Sequence, residues 1–191
     1  MLNRAKFYDS VRASLFRGKI AQHQVDGTDL ILDAWETAPM LRPGRTEPDL
    51  RWLAYMLATA FHETAKTMQP IKEFGLGHGH RYGIPDPETG HTYYGRGLVQ
   101  LTWRENYEKF SKLLGIDLVH DPNKACDPHV AVEVMRIGMR DGLFTGKKLS
   151  GYFGGTVENW VEARRIINGT DCAEQIADYG RKFYAALKDA S

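Results

Sequence analysis

Residues 50–66 read LRWLAYMLATAFHETAK and form the most strongly helical stretch of the chain. Trp52, Met56 and Ala60 recur every four residues, which places them on one seam of an α-helix. Glu63 follows three residues later and continues the same seam. The pattern therefore predicts a buried helix that carries a carboxylate near its C-terminal end.

Other helical patterns flank this segment on both sides. We expect further helices over residues 9–17, 30–35, 107–114, 131–143, 160–167 and 172–187. Residues 38–48 are rich in Pro and Gly and predict a loop, and residues 75–90 predict a longer one that is mostly Gly, His, Pro, Asp and Thr. Residues 93–103, YYGRGLVQLTW, predict a short extended segment. The predicted fold class is mainly α (α+β) with a minor β element.

The composition excludes several classes of protein. With 191 residues, 25 Lys and Arg and 24 Asp and Glu, the chain suits one domain and lacks the basic excess that is typical of nucleic-acid binders. We expect no stable membrane insertion and no signal peptide, because no long apolar run occurs and the N-terminus is charged throughout. Cys126 and Cys172 are too few for a disulfide scaffold, and whether they pair stays open.

Two glutamates are candidates for acid–base chemistry. Hydrolysis of a glycosidic bond uses one protonated and one ionised carboxyl group. The apolar seam and the helix C-terminus would favour the protonated form of Glu63. Glu73 opens the polar loop, where solvent favours the ionised form. Taken alone, each glutamate is more typical of a solvated surface position.

A metal site is not indicated by the histidines. His62 and Glu63 begin an HExxH-like pattern, but Lys66 stands where the second histidine would be needed. Three histidines of the long loop region lack a recognised ligand spacing, and they are His78, His80 and His91. We therefore expect neither a metal nor an organic cofactor.

An aromatic cluster accompanies the extended segment and comprises Tyr93, Tyr94, Trp103 and Tyr107. Flat rings beside amide and hydroxyl groups suit the faces and hydroxyls of sugars. The same composition is equally typical of a structural core.

Three segments in order closely resemble glycoside hydrolase family 19, which includes plant-type chitinases and phage endolysins. They are FHET at 61–64, YYGRGLVQLTWRENY at 93–107 and RIINGT at 165–170. The resemblance covers roughly residues 50–187, and the first 35 residues also resemble phage-type members. It implies a lysozyme-like fold, with helices around a small β element and a substrate cleft.

By this resemblance the whole chain, residues 1–191, is a single catalytic domain. Residues 1–47 are expected to form an N-terminal helical segment, and residues 48–191 the catalytic core.

The resemblance also implies roles for individual residues. Glu63 is the general acid, Glu73 the general base and Thr102 the residue that holds the attacking water; Glu88, in PDPETG, is the reserve base. Arg181 is similar to a buried arginine that organises the acidic residues. The remaining matched positions are implied substrate contacts, and they are His62, Tyr94, Arg96, Gln100, Asn106 and Asn168.

The function that we expect from the sequence is inverting hydrolysis of the β-1,4 bonds of peptidoglycan glycan strands, in the service of host lysis. The protein would be a monomer, made in the host cytoplasm and released to the periplasm with the help of a holin. The alternatives are a chitinase acting on N-acetylglucosamine polymers, a noncatalytic wall-binding module and a zinc amidase.

Overall fold

The computed structural model describes residues 2–38 and 49–191. The helices in these residues are α1 (Arg4–Ser14), α2 (Gln22–Thr37), α3 (Leu50–Glu63), α4 (Arg104–Leu114), α5 (Pro128–Asp141) and α6 (Ala173–Ala190), and the 3-10 helices are Arg81–Gly83, Pro122–Cys126, Leu149–Gly151 and Glu162–Ile166. The predicted class, mainly α with a minor β element, is confirmed. The loop predicted over residues 38–48 lies, beyond Ala38, outside the described residues, as does the expected boundary after residue 47.

Helix α3 is the centre of the fold. All ten of its residues between Trp52 and Phe61 are buried, and its main packing partner is α6. Phe61 meets Phe183 of α6 edge to face, with 5.9 Å between ring centroids. Each large apolar side chain buried in this way contributes about 1.5–3 kcal/mol. The same hydrophobic cluster includes residues of α1 and α2, so helices before and after α3 share one core.

Side-chain caps set the beginnings of two helices earlier than apolar periodicity predicts. The Asn3 side chain accepts the Lys6 amide at 3.0 Å, and α1 begins at Arg4 rather than at residue 9. The Asp127 carboxylate accepts the His129 and Val130 amides, and α5 begins at Pro128 rather than at residue 131. Caps satisfy amides that have no partner within the helix, so they extend it beyond its apolar face.

The β structure is smaller than the predicted extended segment. β1 (Ile71–Lys72) pairs antiparallel with β2 (Arg96–Gly97), and β3 (Phe153–Gly154) pairs with β4 (Val157–Glu158). Arg96 and Leu101 then exchange both backbone hydrogen bonds, at 2.8 and 3.1 Å. This closes residues 96–101 into a tight turn and places Leu101 beside Arg96, the first residue of β2.

The helix predicted over residues 160–167 forms as the 3-10 helix Glu162–Ile166. The two cysteines are free thiols; burial raises the pKa of the Cys126 thiol, whereas Cys172 is exposed. Among the described helices, no segment combines the length and apolarity needed to cross a bilayer.

Candidate active site

Glu63 is the last residue of α3, and its carboxylate contacts an arginine. Arg164 Nη1 donates to Glu63 Oε1 at 2.5 Å. Both side chains are largely buried, with exposed fractions of 4% for Arg164 and 14% for Glu63. Arg164 Nε also donates to the backbone carbonyl of Asp171 at 3.0 Å. The acid candidate is therefore held at the end of the central helix by a second, distant segment.

This contact corrects the prediction for Arg181. Arg181 lies on α6 and is exposed, whereas Tyr179, Gly180 and Phe183 carry the buried face of that helix. A side chain on the opposite face cannot turn into the core without unwinding the helix. The buried arginine that organises the acidic residue is Arg164.

Glu73 follows β1 directly and is held by two donors. The Tyr82 hydroxyl donates to Oε1 at 2.9 Å, and the Gly95 amide donates to Oε2 at 2.9 Å. The Glu73 amide in turn donates to the Gly95 carbonyl at 2.8 Å. Burial and the bond to Glu73 raise the pKa of Tyr82, so its hydroxyl keeps its proton and stays a donor.

Glu63 and Glu73 line one cleft of about 490 Å³. The other lining residues come from the 3-10 helix Arg81–Gly83, from residues 95–103, from α4, and from the segments that follow α5 and the 3-10 helix Glu162–Ile166. They are Tyr82, Gly95, Val99, Gln100, Leu101, Thr102, Trp103, Asn106, Phe144, Ile167 and Asn168. The structure thus brings together all three residues expected to be catalytic. It also brings Gln100, Asn106 and Asn168 to the same cleft.

Three polar side chains of the cleft donate hydrogen bonds to nearby backbone carbonyls. The Thr102 hydroxyl donates to the backbone carbonyl of Gln100 at 2.8 Å. The side-chain amide of Asn106 donates to the backbone carbonyl of Thr102 at 2.8 Å. The Gln100 side chain donates to the Ile71 and Gly97 carbonyls, each at 3.3 Å. These bonds fix the orientation of the groups that face the cleft.

Two expected substrate contacts are structural instead. Arg96 is 3% exposed, and its guanidinium lies 3.7 Å from the centroid of the buried Tyr94 ring. Its Nη1 donates to the Tyr107 hydroxyl and to the carbonyls of Thr92 and Tyr94. Because backbone carbonyls of this segment need a buried donor, Arg96 and Tyr94 hold the segment rather than a ligand.

His62 also lies outside the residues that line the cleft. Its side chain is half-buried beside Glu63, and burial lowers its pKa, partly offset by the negative charge of Glu63. The expected substrate contact at His62 stays a prediction.

Glu88, the reserve base, belongs to another groove. It contacts Arg104, with 2.5 Å between Oε2 and Nη2, and its side chain is 71% exposed. That groove lies between the 86–89 turn and α4 and contains neither Glu63 nor Glu73. Glu73 is therefore the glutamate that shares a cleft with Glu63.

Sequence analysis missed Arg164 and Tyr82, and it placed Trp103 in a larger aromatic cluster. Arg164 directly precedes the RIINGT segment at 165–170, so the family resemblance already points to its neighbourhood. Tyr82 lies in the Gly- and His-rich loop, where no local pattern marks it. Trp103 was grouped with three tyrosines, but Tyr93, Tyr94 and Tyr107 are buried and only the indole opens to the cleft.

Within residues 2–38 and 49–191, no cluster of three His, Cys, Asp or Glu side chains is arranged to hold a metal ion. His80, one of the loop histidines, instead stacks on Tyr82 with 4.9 Å between ring centroids and an angle of 9°.

Comparisons with known proteins agree with this architecture. The family model described as class I chitinase matches residues 79–137. An Arabidopsis thaliana protein, Endochitinase At2g43620, is 34% identical over 131 residues, which cover 64% of this chain and 40% of the relative. Endochitinase At2g43610 from the same plant is 38% identical over 88 residues, 44% of this chain and 30% of the relative. The chain thus matches less than half the length of these curated relatives.

Solved structures share the fold. Chitinase C from Streptomyces griseus superposes with a TM-score of 0.61 and 22% identity, covering 98% of this chain and 76% of that one. A bacterial family 19 chitinase superposes with a TM-score of 0.62 and 21% identity, covering 97% and 94%. The helical fold with a carboxylate-lined cleft is of the lysozyme-like class. The chain is similar to the chitinase-like proteins of glycoside hydrolase family 19, in sequence over residues 79–137 and in fold over nearly its whole length.

Proposed function

We propose that this protein is a glycoside hydrolase that cleaves β-1,4 bonds between N-acetylglucosamine units of chitin-type polymers. The observation that carries the proposal is the placement of Glu63 and Glu73 in one cleft, each held by its own hydrogen-bond donors. The substrate is suggested by the curated relatives, which are endochitinases.

In this proposal the two carboxyl groups act from different sides of the sugar. Glu63 protonates the leaving glycosidic oxygen, and Glu73 removes a proton from the water that attacks the anomeric carbon. The Thr102 hydroxyl contacts that water. The glycosidic bond breaks as the new C–O bond forms, so the reaction inverts the anomeric configuration and requires no metal or organic cofactor.

The stereochemistry of the product tests the mechanism. Fresh products of an inverting enzyme are α anomers, and proton NMR of the anomeric signals during early digestion of chitin hexasaccharide distinguishes them from β anomers. Primary β products would refute single displacement. Anhydro ends, which form without water attack, would refute the role given to Glu73.

Peptidoglycan is the second candidate substrate. The interval of ten residues between Glu63 and Glu73, which resembles the endolysin branch rather than the plant chitinases, favours it. The two substrates share the N-acetylglucosamine unit, so the same chemistry serves both. Host lysis, a periplasmic site of action and release by a holin belong to this second candidate alone.

Parallel digestion separates the two candidates. Purified protein is incubated with chitin oligosaccharides and with purified sacculi, and Glu63→Gln serves as the control in both. Release of short chitin oligomers alone supports a chitinase, and mass spectrometry of soluble muropeptides identifies a peptidoglycan hydrolase. No release from either polymer would refute the hydrolase proposal and favour a noncatalytic binding module.

A further inference from the structure

Trp103 is the most exposed of the aromatic side chains that line the cleft. It is 46% exposed and lines the cleft beside Thr102. Its ring meets Tyr82 edge to face, with 5.2 Å between centroids and an angle of 85°. Such a perpendicular contact covers at most one face of the indole. A large apolar surface is therefore open at the place where substrate would lie.

The backbone of Trp103 is strained. Its φ is +74° and its ψ is 135°, a conformation that glycine adopts freely and that a Cβ-bearing aromatic residue rarely adopts. Residues held in such conformations cluster at functional sites, because folding alone would select a residue that relieves the strain.

The structural duties of Trp103 do not require its indole. Its amide donates to the Tyr93 carbonyl at 2.9 Å, and its carbonyl accepts the amides of Asn106 and Tyr107 at 3.0 and 3.3 Å. These backbone bonds start α4, and glycine could make all of them. The side chain neither caps the helix nor joins the hydrophobic core. Its identity is therefore unexplained by stability.

We propose that Trp103 is a sugar-stacking residue, held in a strained conformation so that its indole meets the apolar face of an N-acetylglucosamine unit next to the cleaved bond. This inference rests on the proposed function and adds a residue that binds the substrate without exchanging protons. The flat indole suits the C–H face of a pyranose ring, while Asn106 and Asn168 supply polar contacts in the same cleft.

Binding is tested in a catalytically inactive background. Glu63→Gln is titrated calorimetrically with chitin hexasaccharide and, separately, with soluble peptidoglycan glycan strands. We expect Trp103→Ala and Trp103→Gly in this background to weaken binding at least about fivefold, since truncated aromatic anchors typically cost that much. Trp103→Phe, which keeps a ring, should retain most of the affinity. Phe74→Ala is the control, because Phe74 is 80% exposed yet outside the cleft lining.

Thermal unfolding separates stacking from a structural role. Trp103→Gly should melt about 2–4 °C above Trp103→Ala, because glycine relieves the strain that alanine retains. If the indole were needed for folding, both variants would instead have lowered melting temperatures, and the lowering would parallel their loss of affinity.

Each outcome is decisive. Unchanged affinity in Trp103→Ala, or an equal loss in Phe74→Ala, would overturn the inference while leaving the hydrolase proposal intact. A parent that binds neither glycan and an unmutated enzyme that cleaves neither would overturn the proposed function itself.

Discussion

The two walls of the cleft are built in different ways. On the Glu63 wall, a carboxylate at the end of the central helix contacts Arg164, which is 101 residues away in sequence, and both side chains are largely buried. On the Glu73 wall, a loop carboxylate is held by Tyr82 and Gly95, only 9 and 22 residues away, at a half-exposed position. The first wall depends on tertiary packing, and the second on a local loop. Mutation of the residue that holds the carboxylate should therefore mainly affect stability at Arg164, beside Glu63, and mainly affect activity at Tyr82, beside Glu73.

Loss of the acid should give the largest effect on rate. We expect Glu63→Gln to lower kcat by roughly 10²–10⁴-fold, because the amide keeps the shape but cannot transfer a proton. Release of reducing ends from chitin hexasaccharide or sacculi, together with circular dichroism for the fold, measures this. Near-normal turnover by the purified variant would remove Glu63 from the acid role.

Separate substitution of the two loop glutamates tests which of them acts as the general base. Glu73→Gln should lose about a hundredfold in kcat, the usual contribution of a general base. Glu88→Gln is the matched control and should stay close to the unmutated enzyme, because Glu88 contacts Arg104 in another groove. The reverse ranking would move the base to Glu88.

Substitution of Arg164 and of Arg181 tests which arginine stabilises the fold around Glu63. Arg164→Met should lower the free energy of unfolding by about 3–5 kcal/mol, because it leaves the largely buried Glu63 carboxylate without its partner. Arg181→Met, on the exposed face of α6, should change it by less than about 0.5 kcal/mol. Urea unfolding of both variants measures the difference. Equal stabilities would contradict the assignment of Arg164 as the organising arginine.

The smallest effect is expected at Tyr82. Tyr82→Phe removes the hydroxyl that donates to Glu73 but keeps the Gly95 amide, so we expect kcat to fall by about tenfold or less. The matched control is Tyr8→Phe, which breaks a tyrosine–carboxylate bond to Asp29 far from the cleft along α1 and α2. Since Tyr82 has a raised pKa, its bond should persist into mildly alkaline solution. An unchanged kcat in Tyr82→Phe would show that Gly95 alone suffices.

Sequence reasoning reached the elements that local patterns determine. Apolar periodicity predicts α3 over residues 50–66 and α6 over 172–187, and they span Leu50–Glu63 and Ala173–Ala190. It does not determine the strands, because pairing with β1 limits β2 to two residues. Nor does it distinguish the 3-10 helix Glu162–Ile166 from a regular α-helix.

The residues of the candidate site likewise differ in how far the sequence predicts them. The family resemblance led to Glu63, Glu73 and Thr102, which the structure places in one cleft. It misassigned Arg181, although the periodicity of α6 already places that residue opposite Phe183. Tyr82 could not be found, because its contact with Glu73 depends on how the polar loop folds back. Contacts between distant segments, such as the one between Glu63 and Arg164, cannot be recognised from a short stretch of sequence.

The hydrogen bond from Thr102 to the Gln100 carbonyl has a consequence for the attacking water. A hydroxyl carries a single proton, and the Thr102 hydroxyl already donates that proton to the backbone carbonyl of Gln100. Toward the cleft, Thr102 therefore offers only lone pairs, as an ionised Glu73 does. A water molecule between them would meet two acceptors and would turn both of its protons toward the protein. Its own lone pair is then left to point outward, toward an electrophilic carbon.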